Sequence, residues 1–376
     1  MAATPPLDGV RVVELAAQGP APFACMLLAD LGAEVVRVER VGARSHPPDA
    51  HARGRRTIAV DVKQARGRDL VLDLVKGADV LVEGFRPGAV ERLGLGPETC
   101  VALNPRLVYG RMTGWGQDGP LARSAGHDIN YLALSGGLNA IGEQGRSPVP
   151  PLNLVSDYGG GGMLLALGVV AALLKRASSG HGQVVDAAMA DGLALMLAPF
   201  HAMAVRGVWS ERGSNLLDGG APFYRTYETA DGQWISVGAI EPQFYAEFLR
   251  VLGIDAADLG PQSDKTSWPA AAKRIAAVVA TRTRDEWARL FDGVDACVQP
   301  VLELMEAVTH PHAVAREVFT HAGGVPHPRA APRFSRTPLT TPEPARDGQS
   351  STDEVLAGLG LSADDIRELR AAGVVA

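Results

Sequence analysis

The stretch VRVVELAAQGPAPFACMLLADLGAEVVRVE, residues 10–39, decides the fold. Residues 10–15 and 34–39 are short, valine-rich apolar runs, which predict two buried strands. Residues 23–31 carry apolar side chains at helical spacing and stop at Gly32, a common residue just past a helix end. Two strands joined through a helix make a β-α-β unit, which predicts a parallel sheet with right-handed crossovers.

The same alternation of strand and helix continues outward from this unit. Residues 16–22 contain Gly19 and two prolines, so they predict a loop between the first strand and the first helix. Further strands are predicted at 57–62, 79–83, 107–111 and 183–188, and helices at 67–76, 89–93, 163–174 and 191–205. The pattern therefore predicts a large α/β domain over residues 1–205.

The pattern changes after residue 205. Residues 206–222 are a glycine-bearing polar linker. A β-hairpin is then predicted, because residues 223–229 and 233–237 flank the turn Ala230-Asp231-Gly232. Helical patterns follow it, which indicates a smaller α+β domain; they cover 243–252 and 268–281, within a domain of 223–315.

Residues 316–376 are predicted to return to the large domain. Residues 323–350, rich in Pro, Arg and Thr, predict an extended ordered arm or a linker. A final helix is predicted to start at Ser362, with Asp365 completing a capping box, and to stop before Gly373.

The composition excludes several classes of protein. The chain has 376 residues and a net charge of −6, which argues against nucleic acid as a partner. Its three cysteines lie far apart, without the spacing of a disulfide framework or a metal site. The N-terminal residues lack the basic start and apolar core of a signal peptide. Residues 163–174 are too short for a membrane span, so we expect a cytoplasmic protein.

Nicotinamide binding is not favoured by the first β-α turn. The turn has one glycine, Gly19, instead of the G-x-G-x-x-G pattern, although Glu39 stands where a ribose-binding acid is expected. Pro20 and Pro22 also lack the backbone N–H groups that a pyrophosphate uses.

A group of basic residues lies near the ends of several predicted strands. Two interpretations remain equally open: a site for a ligand with several phosphates, or a solvated face. The group comprises Arg37, Arg40, Arg44, Arg53, Arg55, Arg56, Lys63, Arg86 and Arg92.

Two short segments carry the chemistry of the chain. Gly126-His127-Asp128-Ile129-Asn130-Tyr131 places an imidazole beside a carboxylate, and Ser156-Asp157-Tyr158 precedes four glycines. Each residue also has an ordinary structural interpretation. His127 could be a core histidine, Asp157 could cap the following helix, and Glu241 could mark a helix start before Pro242.

One reaction would unite these groups, namely removal of a proton next to a thioester carbonyl. The usual pKa values are about 6.5 for His and about 3.9 for Asp. A neutral imidazole can therefore accept a proton while a carboxyl group of raised pKa returns one. Two such groups on opposite faces of a carbon can invert its configuration. The glycines would allow close approach of a ligand to the backbone.

The chain resembles the class III coenzyme A transferase family (CaiB/BaiF-like) over nearly its whole length. The matching motifs are Leu7-Asp8-Gly9-Val10-Arg11-Val12-Val13-Glu14, the run 28–39, Gly84-Phe85-Arg86-Pro87-Gly88, Glu91-Arg92-Leu93-Gly94, Gly114-Trp115-Gly116-Gln117-Asp118-Gly119-Pro120 and the segment 352–375. The resemblance implies a Rossmann-like large domain that binds coenzyme A, a small domain, and a homodimer of two interlocked rings. Each site would then combine the large domain of one subunit with the small domain of the other.

The resemblance also implies roles for particular residues. The coenzyme A part of the substrate would contact Arg40, Val60, Asp61, Val62, Lys63, Gly84, Phe85, Arg86, Arg92, Gly126, His127, Asp128, Ile129, Asn130 and Tyr131. In racemase members, a His and an Asp matching His127 and Asp157 act on opposite faces of the α-carbon. Glu241 matches a supporting acid, and Asp128 would hold the hydrogen-bond geometry. No separate cofactor or metal is expected.

The family offers two activities. Members that transfer coenzyme A use the residue at Asp157 as a nucleophile and carry a glycine-rich flap near the position of Glu241. Here that segment reads Gly-Ala-Ile-Glu-Pro-Gln, residues 238–243, and His127 is present. Both features favour racemisation of 2-methylacyl-CoA thioesters. The alternatives are a class III transferase and a non-catalytic protein that binds CoA esters.

Overall fold

A computed structural model describes residues 4–43, 50–322, 324–342 and 351–376. The chain forms two compact units. The first contains Met1–Ser135, Leu152–Met196 and Glu317–Ala376; the second contains Gly136–Pro151 and Leu197–Arg316. Residues 136–151 thus join the second unit although they interrupt the first in sequence.

The strands of the described residues fall into three sheets. They are β1 (Arg11–Leu15), β2 (Glu34–Glu39), β3 (Arg55–Ala59), β4 (Val80–Glu83), β5 (Val108–Thr113), β6 (Val184–Ala188), β7 (Tyr224–Glu228), β8 (Trp234–Gly238), β9 (Val298–Pro300), β10 (Phe319–Ala322) and β11 (Val325–Pro328).

The α-helices begin at α1 (Pro20–Asp30) and include several short turns. They continue with α2 (Ala65–Lys76), α3 (Ala89–Arg92), α4 (Pro97–Leu103), α5 (Asp128–Leu134), α6 (Gly137–Ala140), α7 (Leu164–Ser179), α8 (Met189–Val205), α9 (Pro242–Leu252), α10 (Trp268–Val279), α11 (Arg284–Phe291), α12 (Leu304–Thr309), α13 (Pro311–Ala315), α14 (Thr352–Gly358) and α15 (Ala363–Ala371). Two 3₁₀ turns (Ala50–Ala52 and Ala256–Asp258) and a π-helical segment (Leu154–Met163) complete the set.

The first unit is built on a six-stranded parallel sheet, as the sequence predicts. Its strand order is β3-β2-β1-β4-β5-β6. This is the order of a doubly wound sheet. Strands β1 to β3 are added towards one edge and β4 to β6 towards the other, which leaves a crevice at the carboxyl ends of β1 and β4. Apolar side chains of the sheet, α2 and the C-terminal helices share one core, which includes Val13, Leu81, Val355 and Leu369.

Two local predictions at the carboxyl edge of the sheet are wrong. Residues 16–22 are not all loop, because α1 begins at Pro20. Proline is tolerated in the first helical turn, where its missing N–H would have no partner anyway. Strand β3 ends at Ala59 instead of residue 62, so residues 60–63 form a loop at the sheet edge.

The glycine run is helical, which the sequence did not predict. Residues Leu154–Met163 form a π-helical segment that continues directly into α7. The continuous helix, Leu154–Ser179, is the one helix of the described residues that is long and apolar enough to cross a membrane. It packs on β5, β6 and α1, as a core helix does, and a core helix passes the same length test.

The second unit confirms the predicted hairpin. Strands β7 and β8 are antiparallel around Asp231-Gly232, and β9 adds a third strand beside β8. Their apolar side chains pack with α9, α10 and α11 around Phe248 and Ile275. In the C-terminal segment the predicted capping box of Ser362 and Asp365 is also present, and Gly373 follows α15 with a positive φ of 67°.

Candidate functional site

The candidate site lies at the crevice between β1 and β4, where two loops meet closely. A Cβ on Gly84, just after β4, would lie 2.9 Å from the Cβ of Ala17 and 3.1 Å from that of Ala21. Only a residue without a side chain allows this approach. Residues 84–88, here called the Gly84 loop, therefore pack directly on the start of α1. Ligands of open α/β sheets bind at such a switch point.

His127 stands at the entrance to α5 with its side chain exposed. It occupies the N-cap position, and its backbone N–H donates to Oδ1 of Asn130 at 3.0 Å. The interpretation of His127 as a core histidine is therefore wrong. An exposed imidazole on a fixed backbone remains accessible for proton transfer with a ligand.

Asp128 joins α5 to the π-helical segment. Its carboxylate Oδ2 accepts the backbone N–H groups of Ser156 (2.9 Å) and Asp157 (2.8 Å), and its carbonyl accepts the Ser156 hydroxyl at 3.0 Å. The side chain is buried, and its second oxygen, Oδ1, has no hydrogen-bond partner among the described residues. Asp128 thereby fixes the backbone that carries Asp157.

Asp157 lies inside the π-helical segment and not at its start, so the helix-cap interpretation is wrong. The N-cap position belongs to Asn153, whose amide donates to Oδ2 of Asp157 at 3.3 Å. The carboxylate also lies against Gly19, where a Cβ would be 3.2 Å from Oδ2. Gly19 has a φ of 72°, a conformation that glycine adopts without strain.

The surroundings of Asp157 shift the pKa of its carboxyl group. Burial raises the pKa of its carboxyl group above the ordinary value of 3.8, and the nearby charge of Asp128 raises it further. The hydrogen bond from Asn153 and the charge of His127 act in the opposite direction. The effect of His127 on the pKa of Asp157 indicates that the two side chains are near each other.

Tyr131 packs between the entrance to α5 and the turn that follows β5, where it fills the space beside Gly114 and Gly126. Its hydroxyl donates to the carbonyl of Gly126, and its ring packs edge-on against Trp115 at a centroid distance of 4.7 Å. Burial, followed by the charge of Asp157, raises the pKa of Tyr131, while Arg86 lowers it. The charges of Asp157 and Arg86 thus act on Tyr131 in opposite directions.

Four basic residues that the resemblance assigns to coenzyme A are exposed around the carboxyl edge of the sheet. Arg40 follows β2, Lys63 follows β3, Arg86 follows β4 and Arg92 ends α3. The backbone just before Arg86 is fixed by a hydrogen bond, because the Phe85 N–H donates to the buried Glu83 carboxylate at 2.8 Å. Ile129 and Asn130 are exposed on α5, whereas Val60 is buried.

Four other basic residues of the predicted group pair with acidic side chains of the protein itself. Arg55 and Arg37 pair with the buried Glu14 at 2.7 and 2.8 Å, Arg53 binds Asp30, and Arg56 pairs with Glu34. The charges of Arg37, Arg53 and Arg55 are neutralised by the buried carboxylates of Glu14 and Asp30, whereas the pair of Arg56 and Glu34 lies at the surface. Arg44 lies outside the described residues.

Glu241 belongs to the second unit, where it is exposed at the N-cap of α9 before Pro242. Its side chain makes no capping hydrogen bond. Gln262 holds the preceding turn, because its amide donates to the carbonyls of Ala239 (3.3 Å) and Ile240 (2.8 Å). The predicted helix start is correct, yet the carboxylate itself is left exposed.

An apolar cavity of about 540 Å³ lies beside Glu241 in the same unit. Both neighbours of Glu241 line it, with large apolar side chains around them: Met203, Trp209, Leu216, Leu217, Phe223, Ile240, Pro242 and Trp268. Among the described residues, no three His, Cys, Asp or Glu side chains converge as a metal site would require.

Sequence reasoning missed three residues that shape the site: Asn153, Gly19 and Gln262. Asn153 precedes Asp157 by four residues, so the helical spacing of the two could have shown this pair if the glycine run had been recognised as helix. The contact between Gly19 and Asp157 joins residues 138 positions apart, and no local pattern reports it.

Comparison with known proteins defines the class. The sequence model of CoA-transferase family III matches residues 7–349, and the chain belongs to this family. It is 48% identical over 373 residues to the α-methylacyl-CoA racemase of Mus musculus and 45% identical over 373 residues to that of Homo sapiens; both alignments cover 98% of this chain and 97% of the relative. A CaiB/BaiF family protein from Brucella suis has a similar structure, with a TM-score of 0.82, 26% identity, and coverage of 95% of this chain and all of the other.

Proposed function

We propose that this protein is an α-methylacyl-CoA racemase, which interconverts (2R)- and (2S)-2-methylacyl-CoA thioesters. The observation that carries the proposal is the pair of His127 and Asp157, an exposed imidazole and a half-buried carboxyl group of raised pKa at one site. The near full-length similarity to two racemases supports the same activity.

In the proposed mechanism, His127 and Asp157 act from opposite faces of the α-carbon. One group removes the α-proton and the other returns a proton to the opposite face of the enolate. A raised pKa suits Asp157 for this task, because its protonated form is then populated closer to neutral pH.

The coenzyme A part of the substrate is proposed to bind at the carboxyl edge of the large sheet. The exposed side chains of Arg40, Lys63, Arg86 and Arg92 stand around the same sheet edge and would bind the phosphates. The Gly84 loop, which packs directly on the start of α1 at the crevice, would contact the pantetheine arm.

The acyl group is proposed to enter the apolar cavity beside Glu241. Its lining is dominated by Trp, Phe, Leu and Met side chains, which suit a branched hydrocarbon better than a polar acid. Glu241 would support the acid–base pair from the edge of this cavity.

We further propose the interlocked homodimer of the family, in which each site combines His127 and Asp157 of one subunit with Glu241 of the other. The basis is the resemblance together with the separation of these residues into two compact units of the chain. Closed two-fold dimers are the commonest form of soluble oligomer.

Proton exchange tests the proposal directly. Pure protein is incubated with (2R)-2-methylacyl-CoA in deuterated water, and the α-proton is followed by NMR. Loss of its signal, with formation of the 2S epimer and no added acceptor acid, is the expected result. Unchanged substrate after long incubation would contradict the proposal.

The alternative is a transferase that moves coenzyme A between carboxylic acids through an anhydride on Asp157. The observation that favours it is that Asp157, next to the glycine run, is only partly buried, so a thioester could reach its carboxylate. Hydroxylamine trapping at Asp157 during turnover, without α-proton exchange, would establish it.

A further inference from the structure

The last residues of the chain pair with the edge of the large sheet. Residues 373–376, here called the C-terminal strap, run antiparallel to the end of β3. Val375 bridges Val60, and the Ala376 N–H donates to the carbonyl of Ala59 at 3.2 Å. Val374 and Val375 are almost fully buried in the core of the first unit.

The strap contacts extend beyond the strand into residues 60–63, here called the 60–63 loop. The Asp61 N–H donates to the carbonyl of Val374 at 2.8 Å. The Gln64 amide donates to the carbonyl of Gly373 and to the Asp61 carboxylate, both at 3.2 Å. Covering the edge of β3 requires bonds only as far as Ala59. The bonds made by Asp61 and Gln64 therefore link the strap to the loop as well as to the strand.

Within the loop, Asp61 transmits the strap's position to Lys63. Its carboxylate accepts the Lys63 N–H at 3.1 Å, and its carbonyl packs so tightly on α2 that a Cβ at Gly67 would lie 2.2 Å from it. The backbone that presents Lys63 is therefore fixed from both sides. Lys63 itself is exposed.

The place of the loop in the sheet indicates which part of the substrate it meets. β3 is the edge strand, two strands from β1 and therefore roughly 10 Å from the crevice that holds Asp157. A thioester at Asp157 leaves the phosphate-bearing, nucleotide end of coenzyme A to reach this edge. Lys63 and Arg40 supply positive charge there.

We propose that the C-terminal strap is a positioning element for the nucleotide end of coenzyme A. It acts through Asp61 and Gln64, which hold the 60–63 loop in its binding conformation. This inference rests on the proposed function for the identity of the ligand.

The test is Gln64→Met in the full-length protein, a change of similar size that removes both side-chain hydrogen bonds. The Kd of coenzyme A, measured by calorimetry, is expected to rise about three- to tenfold, because the loop loses both side-chain bonds that tie it to the strap and to Asp61. The KM of a 2-methylacyl-pantetheine thioester, which lacks the nucleotide, should stay unchanged. Thr352→Val, which removes the hydroxyl bonded to Ala376, should act in the same direction.

Asp353→Asn is the matched control. It removes an exposed ion pair with Arg370 in the same C-terminal segment and leaves both hydrogen bonds of Gln64 in place. Unchanged coenzyme A binding in Gln64→Met, or equal losses with both ligands, would overturn the proposal. If the wild-type protein binds coenzyme A without α-proton exchange, the proposed function fails while the strap proposal is still tested by the calorimetry.

Discussion

At the scale of single residues, His127 and Asp157 differ in their surroundings although they share a site. The imidazole is exposed at the start of α5, whereas the carboxylate is half buried against Gly19. Burial is the largest cause of the raised pKa of Asp157. Different surroundings for two titratable groups are the usual means of assigning separate acid and base roles.

The first prediction concerns the division of labour between these residues. His127→Ala and Asp157→Asn should each lower the rate of epimer formation by about 10²–10⁴-fold, because either change removes one proton-transfer group. Each variant should still exchange the α-proton of the epimer that faces its remaining base. NMR in deuterated water, started separately from each epimer, measures both rates.

Equal residual exchange from both epimers in the two variants would contradict a two-base mechanism. Full epimerisation in either variant would remove its residue from the catalytic pair.

The second prediction is that the Asp157 carboxylate lowers stability at neutral pH. Its pKa is raised in the folded state, so the unfolded state releases the proton more readily and stability falls as the pH rises above about 4. Asp157→Asn should therefore raise Tm by roughly 1–3 °C at pH 7, with the difference vanishing as the pH falls towards 4.

Thermal melts from pH 4 to pH 8 measure this difference. Asp8→Asn, at an exposed carboxylate, is the control and should leave Tm unchanged. A lower Tm for Asp157→Asn than for the wild-type protein at pH 7 would contradict the argument that burial of the Asp157 carboxylate lowers stability.

At the scale of elements, the π-helical segment positions Asp157. Its glycines let other elements approach closely: a Cβ on Gly192 of α8 would lie 2.0 Å from the carbonyl of Gly160, and one on Gly162 would lie 2.7 Å from the carbonyl of Pro20. The glycine run therefore serves the packing of the helix as well as ligand access. Sequence reasoning recognised only the second role.

The third prediction tests that packing. Gly192→Ala should displace the segment, lower the free energy of unfolding by at least about 2 kcal/mol and reduce racemisation. Gly358→Ala is the matched control, because a Cβ there meets no atom within 4 Å in α14. That change should be neutral or stabilise by up to about 1 kcal/mol. Denaturant titration gives both values, and similar effects of the two substitutions would refute the packing argument.

At the scale of the whole molecule, the candidate residues are divided between two compact units. His127, Asp128 and Asp157 belong to the first and Glu241 to the second. In the single chain, several apolar side chains of the first unit are exposed to solvent. Among them are two on α7, Leu167 with 65% and Leu174 with 76% of its surface accessible. Exposed apolar faces of this kind are typical of surfaces that a partner covers.

The fourth prediction follows from the proposed dimer. The protein should sediment at twice the 39.4 kDa of one chain. Co-expression of His127→Ala with Glu241→Ala should restore about a quarter of wild-type activity, because half of the dimers are mixed and one of their two sites is intact.

Co-expression of His127→Ala with Asp157→Asn is the control. Both changes lie in the same domain, so every mixed site keeps a defect and activity should stay absent. Sites built within one chain would show no rescue with either pair.

The sequence by itself determined the parallel α/β sheet, the hairpin of the second unit, the C-terminal capping box and the family, because hydrophobic periodicity, turn residues and motifs are local. It also singled out His127 and Asp157. Only the tertiary structure decided which arginines are internal, that Asn153 and Gly19 contact Asp157, and that the strap reaches the 60–63 loop. Such contacts depend on how distant segments pack, and the continuous helix through the glycines depends on neighbours that fit against a surface without side chains.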